Sequence, residues 1–216
     1  MSSTGRHRVG DTLLTCHRRE HDAYDTPDWC VKRLVRVLGW YLPGGARNAL
    51  EPAAGSGAIV KGISLHSESG FVREWRAMEI REECREELAQ WVHPLAITIG
   101  DYLAPHDRRG YDLIVSNPPY KKALEFVQQA LLDTRDNGVV AMLLRLNFLA
   151  GQARANWLAG HMPDAVHVLD KRPSFTGKGT DSCEYAWMVW RVLPGGRHFN
   201  RTSTTSILRE KGANEY

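Results

Sequence analysis

Apolar residues recur at helical spacing in the segment VKRLVRVLGWYL, where Val31, Leu34, Val35, Leu38 and then Tyr41 or Leu42 fall on one face. Ahead of it, Thr26-Pro27-Asp28 reads as a helix start: a hydroxyl N-cap, proline at the first helical position and an acid in the first turn. Pro43-Gly44-Gly45 stops the helix. Downstream the pattern alternates. Strands are predicted over 48–52, 71–80, 95–99, 111–116, 138–146, 165–169 and 184–192, and helices over 56–66, 81–91, 123–131 and 152–160. The run at 138–146 is apolar throughout, as at the buried centre of a parallel sheet.

Such alternation implies right-handed crossovers and an α/β fold built on a doubly wound, seven-stranded, mostly parallel sheet with helices on both faces. Three regions follow. Residues 1–22 read as a basic arm, 23–193 as one folded domain, and 194–216 as a polar tail with no predicted element.

Composition narrows the class. A hydrophobic content of 43% and a charged content of 25% in 216 residues suit one globular domain. No apolar run is long enough to span a membrane, and the N-terminal residues have no signal-peptide core, so a cytoplasmic protein is expected. The four cysteines have no paired spacing, which argues against a disulfide framework or a zinc site. Cys16, His17 and His21 could in principle meet a metal, but such a trio in a basic segment is more often coincidence, and no metal is expected. A net charge of +3 is compatible with nucleic acid without requiring it.

In doubly wound sheets, ligands bind beyond the carboxyl ends of the strands. Four candidate features fall there. EPAAGSG, from Glu51 to Gly57, follows the first strand and opens a helix; its glycines permit a tight turn and close approach to a ligand. It is neither a phosphate P-loop nor a dinucleotide G-x-G-x-x-G, and GKGT at 177–180 has Arg172 where the P-loop glycine would stand. Glu79 closes the second strand and can accept hydrogen bonds from a ribose diol. Asp101 closes the third and can accept from an amino group. Each acid, taken singly, also suits an ordinary loop carboxylate.

Asn117-Pro118-Pro119-Tyr120 closes the fourth strand. Pro118 excludes the helical region at Asn117, and both prolines lack an N–H. The backbone is thereby held open, with the Asn117 amide and a free carbonyl available to accept from a planar amino group. Tyr120 adds a face for stacking.

EPAAGSG, Glu79, Asp101 and NPPY, in this order, resemble the S-adenosylmethionine-dependent amino-methyltransferases. They are most similar to DNA adenine-N6 methyltransferases of the gamma arrangement, in which cofactor motifs precede the catalytic one. YDTPDW at 24–29 resembles that family's N-terminal cofactor segment, and the stretch 172–187 its late loop. The resemblance spans roughly 23–192 and implies a Rossmann-like class I methyltransferase fold with the last strand antiparallel. It further implies that S-adenosylmethionine is held by Tyr24, Thr26, Pro27, Glu51, Ala53, Gly55, Gly57, Glu79, Ile80 and Asp101. Asn117 and the Pro118 carbonyl would accept the target N–H protons, with Pro119 stiffening the corner and Tyr120 and Phe175 sandwiching a flipped base.

The expected partner is DNA, read through phosphate contacts from Arg18, Arg19, Lys121, Lys122, Lys171, Arg172 and Lys178; solvated surface charge is the plainer reading of the same residues. RNA amino groups and protein glutamine remain alternative substrates, because release-factor glutamine methyltransferases also use NPPY. Cytosine-N4 enzymes usually carry serine where Asn117 stands. A catalytically inactive nucleic-acid-binding relative is the non-enzyme alternative. Little chain follows the last expected strand, so target choice would fall to the arm, the loops or a partner subunit, and weak or short-site specificity is expected.

Overall fold

The computed structural model describes residues 25–107, 109–175, 179–195 and 202–209. The central strands arise where the sequence is most apolar. β4 (Tyr111–Ser116) is buried at every position, and β5 (Thr134–Arg145) is buried from Gly138 to Leu144. Alternate β5 side chains serve opposite faces, as a pleated strand requires. Val139, Ala141 and Leu143 meet α1 (Asp28–Tyr41) and α2 (Ala58–His66), while Val140, Met142 and Leu144 meet α4 (Ala123–Asp133). Each fully buried aliphatic side chain here contributes about 1.5–3 kcal/mol by removal from water.

Around this pair lie β1 (Ala46–Glu51), β2 (Val72–Glu79) and β3 (Ile97–Ile99) on one side, and β6 (Ala165–Leu169), β7 (Tyr185–Arg191) and β8 (Thr204–Leu208) on the other. The spatial order is β3-β2-β1-β4-β5-β7-β6-β8. β7 runs antiparallel to both β5 and β6, and the pairings among β1 to β5 are parallel. The expected seven strands therefore become eight. The additional strand, β8, lies inside the segment read as a featureless polar tail and pairs in parallel with β6. Only Leu208 of its five residues is buried, so it carries no alternating apolar signal.

Other elements differ from expectation in extent. The predicted charged helix over 81–91 shrinks to a 3-10 turn (Glu82–Cys84) and the single-turn α3 (Arg85–Leu88), because only Leu88 has a core to enter. The strand expected from residue 95 begins at Ile97, after a 3-10 turn over Pro94–Ala96. Thr26 does not cap α1: Pro27 is the N-cap, and Thr26 lies buried just outside the helix. α5 (Gln152–Leu158) completes the helices.

Polar ties cross the core boundary. Arg33 of α1 makes a bidentate pair with Asp170, directly after β6, at 3.1 Å. The indole N–H of fully buried Trp187 donates to the Cys30 carbonyl at 2.8 Å, satisfying the polar edge of a core aromatic. Tyr41, His167 and Ser206 form a hydrogen-bonded chain of 2.7 and 2.6 Å that joins α1, β6 and β8. Among the described residues no helix is long and apolar enough to cross a membrane.

Candidate functional site

The carboxyl ends of β1, β2 and β4 bring three of the predicted features together. Glu51, the last residue of β1, is buried, and Val60 N–H donates to its Oε2 at 3.3 Å. Burial pushes its carboxyl well above the ordinary range; the Val60 N–H works against this, while the charges of Glu79 and Asp25 add to it. The turn after Glu51 needs glycine. Gly55 and Gly57 have φ of 55° and 89°, in the left-handed region, and a Cβ on Gly57 would lie 3.0 Å from Leu88 Cδ1. Pro52 is buried and Ala53 half-buried beside it.

Glu79, at the end of β2, clasps this turn. Its Oε2 accepts from Gly55 N–H at 2.7 Å, and its Oε1 accepts from the backbone N–H and Nε of Arg81 at 3.0 and 2.8 Å. Three of about four acceptor positions on the carboxylate are thus taken within the protein. Arg81 was not foreseen in this role; nothing in local spacing marks a side chain that folds back two residues. Ile80, between them, is 42% exposed. Asp101 accepts from Leu103 N–H at 2.9 Å, a turn of its own making, and faces Lys122 Nζ at 3.4 Å. Ser56 Oγ donates to Asp25 at 2.7 Å, joining the segment before α1 to the glycine turn. Thr26 and Pro27 follow Asp25 directly, and Tyr24 lies outside the described residues.

At the end of β4, Asn117 and Pro119 are half-buried and Pro118 buried. The Pro119 carbonyl accepts from Lys122 N–H at 2.9 Å and starts a 3-10 turn (Tyr120–Lys122). Tyr120 folds back so that its hydroxyl donates to Asn117 Oδ1 at 2.8 Å. Its ring centroid lies 6.4 Å from that of Phe175 and 5.5 Å from that of Tyr185, with Phe175 and Tyr185 5.2 Å apart. These are direct aromatic contacts. Tyr120 and Phe175 do meet across a long sequence separation, but they touch each other rather than flanking an open slot.

Tyr185, Arg145 and Asp181 belong to the same cluster and were missed. The Arg145 guanidinium sits 4.8 Å above the Tyr120 ring and donates to Tyr185 Oη at 2.9 Å, while Tyr185 donates to Asp181 at 2.8 Å. Burial pushes Tyr185 up to about 12. Partial burial pushes Asp181 up, but the Tyr185 hydrogen bond, the Arg145 charge and the backbone N–H groups of Cys183 and Ser182 together hold it below its ordinary range. The available signal was Arg145 itself, the charged residue that ends the apolar run of β5. Among the described residues, the buried hydroxyls of Ser116 and Ser174, next to Asn117 and Phe175, have no hydrogen-bond partner. Unsatisfied buried polar atoms are uncommon in folded proteins.

The basic residues are only partly assembled. Lys121 and Lys122 are exposed beyond the NPPY corner. Lys171 Nζ lies 4.8 Å over the Trp29 ring, and Arg172 faces Glu184 at 3.6 Å. Arg18, Arg19 and Lys178 lie outside the described residues. Among those described, no group of side chains suited to a metal ion occurs.

A sheet of order 3-2-1-4-5-7-6 with β7 antiparallel, a glycine turn after β1 and acids closing β1 and β2 define the class I methyltransferase fold, here extended by β8. Solved structures of that class superpose on this chain. A Listeria monocytogenes protein assigned to the class I S-adenosylmethionine-dependent methyltransferases aligns over 89% of this chain and 68% of its own, with TM-score 0.66 and 14% identity. The methyltransferase subunit of a type I restriction-modification system from Streptococcus thermophilus aligns over 86% of this chain and 47% of its own, with TM-score 0.63 and 18% identity. A Pyrococcus horikoshii protein assigned as an RNA methyltransferase aligns over 79% and 87%, with TM-score 0.59 and 16% identity. This chain therefore spans about two thirds of the first and about half of the second. No protein-family model and no curated protein matches the sequence.

Proposed function

We propose that the chain transfers a methyl group from S-adenosylmethionine to the N6 amino group of adenine in DNA. The observation that carries this reading is the Asn117 carboxamide on a proline-stiffened corner at the same sheet edge as the glycine turn and Glu79. The restriction-modification subunit among the structural neighbours supports DNA as the substrate.

The residues present fit the cofactor. The left-handed glycine turn runs beside Glu79, which accepts from the Gly55 N–H, and a side chain on Gly55 would project toward Arg81 and Asp25 at 3.6 Å. Ile80 offers an exposed apolar surface beside Glu79 for a purine face. Glu79 would hold the ribose hydroxyls, sharing its oxygens with Arg81 or displacing it, and Asp101 the adenine amino group. Asp25 ties the segment to the turn through Ser56, and Thr26 and Pro27, which follow it, would close over the cofactor. When bound, the cofactor supplies an electrophilic sulfonium methyl.

The chain's own task is to make an aromatic amine nucleophilic. Its lone pair is delocalised into the ring until both N–H bonds are held out of plane. Asn117 Oδ1 and the Pro118 carbonyl are the two acceptors for those protons. Among the described residues no backbone N–H donates to the Pro118 carbonyl. Asn117 Oδ1 has a second lone pair beyond the one that the Tyr120 hydroxyl uses. Such acceptors act through fixed position and electrostatics, and no strong base is required. Tyr120 and Phe175 must separate to admit a base, at a cost that unstacking of the target adds to by a few kcal/mol.

Methyl-labelled S-adenosylmethionine with DNA, RNA and protein acceptors, followed by nucleoside and amino-acid hydrolysis, tests this reading. N6-methyladenine in DNA is the expected product. Label found only in RNA or in protein glutamine replaces the substrate while keeping the chemistry, and absence of transfer to all three rejects the enzyme reading.

A further inference from the structure

The strands that carry the site residues at one end carry arginines at the other. Arg47 is the second residue of β1, which ends in Glu51; Arg73 is the second of β2, which ends in Glu79; Arg135 is the second of β5, which ends in Arg145. Antiparallel β7 delivers Arg191 to the same edge. Together they line a recess of about 500 Å³ at the amino edge of the sheet, with Tyr41 and Asp112 also in its wall.

Charge in this recess is one-sided. Asp112 is buried and used internally: its Oδ2 accepts from the backbone N–H groups of Arg47 and Asn48 at 2.7 and 2.9 Å, and its Oδ1 pairs with Arg135. Asp164 lies nearby and accepts from the Arg191 backbone N–H at 2.7 Å. The carboxyl end of α1 also reaches the rim, contributing roughly half a negative charge. Four guanidiniums exceed these acids. The register pairs Ala46 with Val72 and Asn48 with Glu74, so Arg47 and Arg73 stand side by side on adjacent strands. Neighbouring strands are about 4.8 Å apart, and like charges so placed repel. Neither arginine side chain has a hydrogen-bond or ion-pair partner among the described residues.

We infer that this recess binds adjacent phosphate groups. Exposed, paired guanidiniums offer planar forks that match phosphate oxygens two at a time, a geometry that lysines cannot supply. The volume lies within the range of small-molecule sites. The recess is also distinct from the NPPY corner. The central strand between them is about 20 Å long, so a duplex seated at Asn117 does not reach Arg47 without bending around the molecule. The inference therefore stands apart from the methyl-transfer reading. Its ligand chemistry, consecutive phosphates, is met by a free polyphosphate or by a nucleic-acid backbone.

Calorimetric titration of the full chain with tripolyphosphate and with a short single-stranded oligonucleotide distinguishes the sources. The wild type, R47A/R73A and K32A/R85A, a pair of basic residues outside the recess, are compared at two salt concentrations, with thermal melting to verify folding. Roughly tenfold or greater weakening in the recess pair, with a shallower salt slope, is expected. The same loss must be absent from the control pair for that ligand. Weakening confined to tripolyphosphate assigns a free polyphosphate, and weakening confined to the oligonucleotide assigns a backbone. R47K/R73K retains charge without the fork and is expected to recover affinity only in part. If neither anion binds the wild type, or both bind R47A/R73A as tightly as the wild type, the site is refuted.

Discussion

The Tyr120 hydroxyl donates to the Asn117 carboxamide oxygen across 2.8 Å, so the acceptor proposed for the target amine already holds one donor. Two variants separate their roles. Asn117→Ala removes the acceptor and is expected to lower methyl transfer by about 10²–10³-fold or more while cofactor binding survives. Tyr120→Phe keeps the ring and loses only the donor, so transfer is expected to stay within a few-fold, whereas Tyr120→Ala loses about 1–3 kcal/mol of base stacking. Labelled-methyl incorporation reads all three. Full turnover by Asn117→Ala would sink the NPPY assignment.

Glu79 links the glycine turn to Arg81, and its removal strands both. Glu79→Ala leaves the Gly55 N–H without its carboxylate and Arg81 without its partner. S-adenosylmethionine affinity is expected to fall by roughly tenfold or more, measured by calorimetry. An unchanged dissociation constant rejects the ribose role.

Glu51 provides a pH test. Its folded-state carboxyl is raised by burial, so the folded protein binds this proton more readily than the unfolded chain. Its contribution is fully favourable below the ordinary carboxylate range and is lost as pH rises through the folded value. Glu51→Gln is therefore expected to raise the melting temperature at neutral pH and to leave it unchanged in acid below that range, while weakening cofactor binding. A variant less stable than wild type at neutral pH contradicts the prediction.

The Arg33–Asp170 pair tethers α1 to the start of the late loop. Arg33 is the more deeply buried partner, with a side chain only 5% exposed against 24% for Asp170. Asp170→Ala leaves a buried guanidinium without its carboxylate and is expected to cost about 3–5 kcal/mol. Arg33→Met leaves a partly exposed carboxylate that water can solvate, and a smaller loss is expected. Urea unfolding of both variants checks the order; a larger loss in Arg33→Met would overturn it.

Local chemistry was enough to read the alternation of strands and helices, the bounds of β4 and β6, and the coincidence of the glycine turn, Glu79 and NPPY at one sheet edge. Apolar periodicity and proline and glycine restrictions act over a few residues, so they survive in the sequence. Tertiary structure alone decided the rest. β8 is held by backbone pairing to β6 with one buried side chain, and so leaves no apolar pattern to read. Arg145, Asp181 and Tyr185 gather around Tyr120 because β7 returns antiparallel beside β5. The four arginines at the opposite edge are scattered from 47 to 191 and share a recess only because strand register aligns their ends. Such side-chain meetings depend on which strands become neighbours, and no local propensity encodes that choice.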